Sequence, residues 1–562
     1  MRRILFRLIG IAFFTWLEFA FFPGHTYLQG DTQLTVPMLE RLKDPGFLSR
    51  DIVATHPRFE YTIYDEATLF LNEAAGLSVE KALLYQQVAC RAAGLLGILL
   101  LALSAGLSES LALLVAASIS LGGTLTGPKL MLVELEAIPR ALAWGFILLA
   151  IGLVAREKPL LAGLAGGLAL VYEPAIAAPF WVLLILMMLF NRRLRRMLRP
   201  TITILGIFVL LLANLAQLQP GIPEQQSLLS RISDAYAALQ QYRTPYEWVS
   251  LWTGGQILSY LAIWICGIWA TARIWPSFNR QSRWMLVALP ACGVLSLPLS
   301  YFLLDRLRWS FIAQLQPTRW LLFTVCLTSV VCGMAGVRAA RSKRIGESAL
   351  WFFIVFALPL HAELLELLRV TRLADLEQLI VAVALGGALA FILVRTIHSI
   401  SRVLALTVPA LLVLLLRLPA FGMPRATENA TVNELAVWVK RNTWGSSMFL
   451  FPDIGRSLIP GIFRARSERP VWVDWESGAL VPYFQSFAGT WWDRWQQTMQ
   501  PGYSQQHLHA DLALPIDYYV LTRPHSLAWV HPVFANHDFV VYDANDLRNM
   551  PDRLWNIGEA NR

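Results

Sequence analysis

The sequence predicts a polytopic α-helical membrane protein that ends in an α/β domain outside the membrane. Its 562 residues are 56% hydrophobic and only 15% charged, with a mean hydropathy of +0.50, outside the range of an ordinary soluble domain. The apolar residues form repeated runs of roughly 17 to 25, the length that a helix needs to cross a bilayer. From about residue 419 the composition changes, and short runs typical of strands begin.

The first apolar run covers residues 4–22, directly after two arginines. It lacks a small-residue cleavage site, so we interpret it as a retained span rather than as a removed signal peptide. About thirteen spans are expected in all, from the length of each run. The others lie at 84–104, 109–127, 138–155, 159–172, 175–190, 201–218, 254–273, 284–304, 318–337, 346–361, 375–395 and 399–417.

The basic residues indicate the orientation of these spans. With the N-terminus in the cytoplasm, every strongly basic short loop lies inside, including "NRRLRRMLR" at 191–199 and "RAARSKR" at 338–344. An odd number of spans then places the C-terminus outside. The net charge of +9 is explained by this topology and gives no reason to expect nucleic acid.

This topology divides the chain into two domains. Residues 1–418 are expected to form the transmembrane domain, with outer loops at about 23–83 and 128–138. Residues 419–562 are expected to form the extracytoplasmic α/β domain, since an amphipathic helix is followed there by strand-like runs. Those runs are "SMFLF", "RPVWVDW", "DYYVLTR" and "FVVYDA".

Motifs of soluble enzymes and metal sites are absent from the sequence. There is no phosphate-loop pattern, no HExxH and no CxxC. All cysteines lie inside apolar runs, which argues against a disulfide framework. They are Cys90, Cys266, Cys292, Cys326 and Cys332.

Acidic residues at the outer ends of predicted spans are the candidates for chemistry. Asp31 follows the first span in "YLQGDTQLTVPML", and Glu134 and Glu136 precede the fourth in "LMLVELEAIPRALAW". Ionisable groups at membrane level need water, a partner or a ligand. Asp31 alone also fits a turn residue or an N-cap. The two glutamates also fit solvated loop residues or ion-pair partners of Lys129 and Arg140.

The topology and three motifs together resemble the GT-C superfamily. The motifs are "GDTQLTVPML…DPGFLSRDI", "ELEAIPRALAW" and "LQPTRW". Members of this superfamily are integral-membrane glycosyltransferases that use polyprenyl-phosphate-linked donors. The resemblance implies inverting transfer of a sugar to an unidentified acceptor at the outer face of a bacterial inner membrane, with the C-terminal domain periplasmic or extracellular.

The resemblance also implies roles for individual residues. Asp31 would be the general base that takes the proton of the acceptor hydroxyl. Glu134 or Glu136 would orient the acceptor or bind Mg²⁺ or Mn²⁺, which favour oxygen ligands. Departure of the lipid phosphate requires positive charge, which arginine supplies well. The candidates for that role are Arg58, Arg140 and Arg319.

The sequence leaves two other classes of function open: a transporter or flippase for a lipid or polysaccharide, and a non-catalytic assembly protein. Few ionisable residues in mid-span and the lack of an inverted repeat argue against transport. Catalysis predicts that Asp31, Glu134 or Glu136, and Arg319 converge within about 10 Å around an outward-open cavity.

Overall fold

The computed structural model describes most of the chain. The described residues are 2–20, 24–218, 230–358, 430–500 and 502–555. The predicted spans at 375–395 and 399–417 lie outside them.

Residues 2–358 are mainly helical where they are described. The helices are α1 (Arg2–Ala20), α2 (Thr32–Lys43), α3 (Tyr64–Ala75), α4 (Val79–Ser104), α5 (Glu109–Ala117), α6 (Pro139–Ala155), α7 (Pro159–Tyr172), α8 (Pro174–Phe190), α9 (Arg195–Leu218), α10 (Asp234–Arg243), α11 (Gly254–Ile274), α12 (Arg280–Ser300), α13 (Ser310–Leu315), α14 (Leu321–Arg341) and α15 (Ile345–Ala357). Five described helical stretches, starting at Val79, Arg195, Gly254, Arg280 and Ser310, are long and apolar enough to cross a membrane, and five shorter apolar helices accompany them. The chain is therefore a multi-pass membrane protein.

Glycine allows α4 and α6 to pack closely. A Cβ atom at Gly145 or Gly152 would lie 2.1 Å from a backbone carbonyl oxygen of α4, so only glycine fits this contact. Small residues allow helix backbones in membranes to approach in this way. The contact fixes the position of α6, whose first turn carries Arg140.

The predicted span at 109–127 is wrong as a single helix. Helix α5 ends at Ala117, a 3₁₀ turn covers Ser118–Leu121, and a short hairpin follows. Its antiparallel strands are β1 (Thr124–Leu125) and β2 (Leu130–Met131). The helix cannot continue because Gly122 and Gly123 have φ of 65° and 123°, in the region that only glycine adopts readily.

The C-terminal part, residues 430–555, contains a four-stranded mixed sheet. Its strands are β3 (Phe449–Leu450), β4 (Tyr518–Thr522), β5 (Phe534–Ala535) and β6 (Phe539–Asp543), in the order β3-β4-β6-β5, with β3 parallel to β4 and the other pairs antiparallel. The helices are α16 (Ala430–Asn442), α17 (Ile459–Ser467), α18 (Gln485–Thr498), α19 (Gln505–Asp511), α20 (Ala544–Arg548) and α21 (Asp552–Trp555). The predicted strand "RPVWVDW" forms only one bridge, between Val471 and Phe449.

A buried ion triad joins this C-terminal part to the segment between α2 and α3. The Arg464 guanidinium donates from Nε to Asp51 Oδ2 at 2.8 Å and from Nη2 to Asp474 Oδ2, and the Arg464 and Asp51 side chains are fully buried. The same Asp51 oxygen also accepts from the backbone N–H of Val471 at 3.0 Å. These bonds hold the C-terminal part against the segment that follows Asp31.

Candidate active site

A polar cavity lies where the segment after α1, the first turn of α6, the turn before α14 and the C-terminal part meet. It encloses about 820 Å³, including space that opens to solvent. Its cationic lining residues are Arg58, Lys129, Arg140, Arg243 and Arg319. Its acidic lining residues are Asp31, Glu247 and Glu476. The structure thus brings together Asp31 and all three predicted arginines, whereas Glu134 and Glu136 do not line this cavity.

Asp31 stands at the N-terminal end of α2 but does not cap that helix through its side chain. Its Oδ2 atom accepts from Arg140 Nη1 at 3.1 Å, and 26% of the side chain is exposed. Burial alone would raise the pKa of this carboxyl, but Arg140, Arg58 and Arg319 together hold it below its ordinary value. The carboxylate is therefore ionised at neutral pH, and Oδ1 accepts no hydrogen bond from the described residues.

Glu136 holds the turn that carries Asp31. Its two carboxyl oxygens accept from the backbone N–H groups of Gln29 at 2.6 Å and Thr32 at 2.9 Å. A Cβ atom on Gly30 would lie 3.2 Å from the same carboxyl, so the turn passes close to it. Burial raises the pKa of Glu136 to about 7. Glu136 therefore positions the backbone on both sides of Asp31.

Glu134 holds the side chain of Arg140 in place. Its Oε1 accepts from Arg140 Nε at 2.8 Å, while Nη1 of the same guanidinium donates to Asp31. The planar guanidinium fork is well suited to bridge two carboxylates. Arg140 is consequently held between two acids, and Glu134 contacts Asp31 only through it.

Arg319 and Arg58 are less completely paired than Arg140. Arg319 donates from Nη1 to Glu173 at 3.2 Å, but its buried Nε has no hydrogen-bond partner among the described residues. The Arg58 guanidinium lies 4.5 Å from the Tyr483 ring centroid and makes no ion pair with the described residues. Burial alone would lower the pKa of Arg58, but Tyr483, Asp31 and Glu173 raise it above its ordinary value. Both guanidinium groups can therefore bind an anion in the cavity.

Sequence reasoning missed the side of the cavity that faces these arginines. Arg243 ends α10, Glu247 lies in the turn after it, and Glu476 and Tyr483 come from the C-terminal part. The signal that could have found the first two is "YRTPYEW", where charged and aromatic residues crowd the outer end of a predicted span. No local pattern marks Glu476 or Tyr483, because tertiary packing alone brings them to the cavity.

The carboxylates do not fit the Mg²⁺ or Mn²⁺ site that the sequence suggested. The described residues contain no group of three or more His, Cys, Asp and Glu side chains able to hold a metal ion. Glu134 and Asp31 are bound to Arg140, and Glu136 is bound to backbone N–H groups. Glu134 and Glu136, the two candidate ligands, are therefore engaged by partners of this chain rather than arranged as a set of metal ligands.

No family model and no curated protein matches the sequence. Among solved structures, the chain is similar to ArnT from Cupriavidus metallidurans in the apo state, with 14% identity over 98% of each chain and a TM-score of 0.49. It is also similar to the same protein bound to undecaprenyl phosphate, with 15% identity over 96% of this chain and 97% of that one and a TM-score of 0.42. At these identities and TM-scores, neither neighbour assigns a family or an activity to this chain.

Proposed function

We propose that the protein is a GT-C-type glycosyltransferase that moves a sugar from a polyprenyl-phosphate-linked donor to an acceptor at the outer face of a bacterial inner membrane. One observation carries this proposal: a carboxylate with a free oxygen, Asp31, lines the same cavity as Lys129 and the incompletely paired arginines Arg58 and Arg319. A base beside an anion site is what transfer from a lipid phosphate requires.

The reaction is a single displacement. The acceptor oxygen attacks the anomeric carbon while the bond from that carbon to the phosphate oxygen breaks, so the configuration inverts. The bonding electron pair leaves with the polyprenyl phosphate, and Asp31 Oδ1 takes the acceptor proton. Since the arginines lower the pKa of Asp31, the carboxylate is ionised before the reaction but is a weak base. It takes the proton late, when the attacking oxygen has already become acidic.

Arg58, Lys129 and Arg319 stabilise the departing phosphate. A phosphate monoester carries a charge of about −1.5 to −2 at pH 7, and guanidinium groups bind its oxygens in pairs. Glu134 and Glu136 are positioning residues in this proposal, since each contacts the elements that carry Asp31 or Arg140.

The proposed topology places residues 1–418 in the membrane domain, with outer loops at about 23–83 and 128–138. Residues 419–562 then form the extracytoplasmic domain. In support, Glu476 and Tyr483 line the same cavity as Asp31, so the C-terminal part and the proposed base lie on the same side of the membrane.

The direct test is transfer of a labelled sugar by purified protein from a panel of polyprenyl-phosphate sugars to membrane extract. Transfer from at least one donor is expected. Failure with every donor would contradict the proposal and favour a transporter or an assembly protein, which need no chemistry at Asp31.

Replacing Arg58 is expected to weaken the binding of the lipid phosphate. A hydrogen bond to a charged group contributes about 1.5 to 3 kcal/mol, so Arg58→Gln should raise the Kd for undecaprenyl phosphate roughly 10- to 100-fold. Titration of the lipid into purified protein measures this. Arg523→Gln, which removes an exposed arginine far along the C-terminal part, is the control, and an equal loss in both variants would remove Arg58 from the phosphate site.

Chelation of divalent metal is expected to leave transfer intact. Five cationic side chains line the cavity, and the described residues contain no group of three or more His, Cys, Asp and Glu side chains that could hold a metal ion. Initial rates in EDTA should therefore equal those without it. A loss that Mg²⁺ or Mn²⁺ restores, with the lipid donor kept in solution, would show that a metal acts in this site.

A further inference from the structure

Glu247 is a buried carboxyl group that lines the cavity and has no part in the proposed reaction. It closes the 3₁₀ turn Pro245–Glu247 and is 5% exposed. One oxygen accepts from Gln316 Nε2, and the other lies 3.4 Å from Thr244 Oγ1. Arg319 follows Gln316 by three residues, so Glu247 and Arg319 belong to the same wall.

Glu247 differs from the other two acids that line the cavity, Asp31 and Glu476, because no cation pairs with it directly. Asp31 and Glu134 bind Arg140, and Glu173 binds Arg319. Glu247 makes no ion pair with any cationic side chain that the structure describes, although Arg319, Arg58 and Arg243 act on it from a greater distance. A buried carboxyl without a direct counter-ion favours its neutral form.

We propose that Glu247 faces the cavity as a neutral carboxylic acid and donates a hydrogen bond to the phosphate group of the polyprenyl-phosphate ligand. This inference rests on the proposed function. A protonated carboxyl has one O–H donor, whereas the ionised form offers only acceptors and repels phosphate. Loss of this proton therefore weakens binding of the lipid phosphate. The affinity for the polyprenyl phosphate that remains after transfer depends on the protonation state of Glu247.

The surroundings of the Glu247 carboxyl favour its neutral form at neutral pH. Burial raises its pKa to about 8, and Arg319, Arg58 and Arg243 only partly oppose this. The neighbouring Tyr246 has its own pKa raised by burial and stays neutral. An incoming phosphate adds negative charge, which favours the protonated carboxyl further. Affinity is thus full below the pKa of Glu247 and is lost as the pH rises through it.

The ligand itself does not titrate in this window. The second pKa of a phosphate monoester is about 6, so its charge is nearly constant above pH 7. Two other acids near the cavity have raised pKa values through burial, Glu136 to about 7 and Glu476 without a value. They are the groups whose titration has to be separated from that of Glu247.

The experiment measures the Kd of the full-length protein for undecaprenyl phosphate at several pH values from 7 to 9. For a group titrating at about 8, the protonated fraction falls about tenfold over this range, and the Kd of the wild type should rise by about the same factor. Glu247→Gln keeps a hydrogen-bond donor without a titrating proton. Its Kd should change less than about threefold over the range, while Glu136→Gln and Glu476→Gln should keep the dependence.

Three results would overturn the proposal: a wild-type Kd that is constant from pH 7 to 9, a Glu247→Gln variant with the pH dependence of the wild type, or a dependence that only Glu476→Gln or Glu136→Gln abolishes. Undecaprenol, which lacks the phosphate, should show no pH dependence in any of these proteins. If the wild type binds no undecaprenyl phosphate at any pH, the proposed function fails together with this inference. Binding that is merely independent of pH removes the inference alone.

Discussion

Asp31→Asn is expected to abolish sugar transfer while the protein stays folded. The amide has nearly the same shape as the carboxylate but cannot take the acceptor proton, and a general base contributes roughly 10²- to 10⁴-fold to a rate. Initial rates of transfer from a polyprenyl-phosphate sugar, measured at matched protein amounts, should fall by that factor. Binding of undecaprenyl phosphate should be retained, because the amide leaves Arg58 and Arg319 in place.

The matched control for this variant is Glu73→Gln. Glu73 is an exposed acid near the end of α3 and does not line the cavity, so its neutralisation should leave the rate unchanged. If Asp31→Asn transfers sugar as fast as the wild type, Asp31 has no part in the mechanism. A rate lost equally in both variants would indicate a general effect of removing negative charge.

Arg464→Met is expected to destabilise the folded protein strongly. The substitution leaves Asp51 and Asp474, both buried, without the guanidinium that neutralises them. Breaking a buried ion pair by removing one partner destabilises proteins by about 3 to 5 kcal/mol. Thermal unfolding of purified protein should show a markedly lower midpoint, and donor binding should fall because the C-terminal part contributes to the cavity.

Arg466→Ala tests whether the burial of the Arg464 ion triad is the cause of this loss of stability. Arg466 lies two residues further along α17, has 35% of its side chain exposed, approaches Glu80 to 3.9 Å and lies 5.4 Å from the Tyr27 ring centroid. Exposed pairs of this kind contribute about 0 to 1 kcal/mol. The unfolding midpoint should therefore change little. Equal losses in the two variants would mean that the positive charge of α17, and not the buried triad, stabilises the contact.

The part of the cavity that can be predicted from sequence is the part where local motifs carry the functional residues. Asp31 directly precedes α2 and Arg140 lies in the first turn of α6, and short motifs mark both positions in the sequence. Their partners were harder to assign. For Glu134 and Glu136 the resemblance implies contact with the acceptor or with metal, while the residues alone also fit ion pairing with Lys129 or Arg140. The geometry shows Glu134 bound to Arg140 and Glu136 bound to backbone N–H groups.

The remaining residues could not be predicted because distant segments supply them. Glu247 becomes distinctive only through its burial beside Gln316, and Glu476 and Tyr483 reach the cavity because the C-terminal part packs on the segment after Asp31.

The error at 109–127 has a local cause. The run is apolar enough for a span, but its glycine pair turns the chain into a hairpin. A hydropathy average contains no information about the backbone φ of these glycines.

The contribution of residues 476 to 483 to the cavity has a consequence for biosynthesis. Ribosomes make the chain from the N-terminus, so Asp31 and Arg58 are synthesised long before Glu476 and Tyr483. The cavity wall is complete only after residues 476–483 have been translated and the C-terminal part has docked through Arg464. A nascent chain therefore lacks a finished cavity until residues 476–483 have been made and have packed against the segment after Asp31.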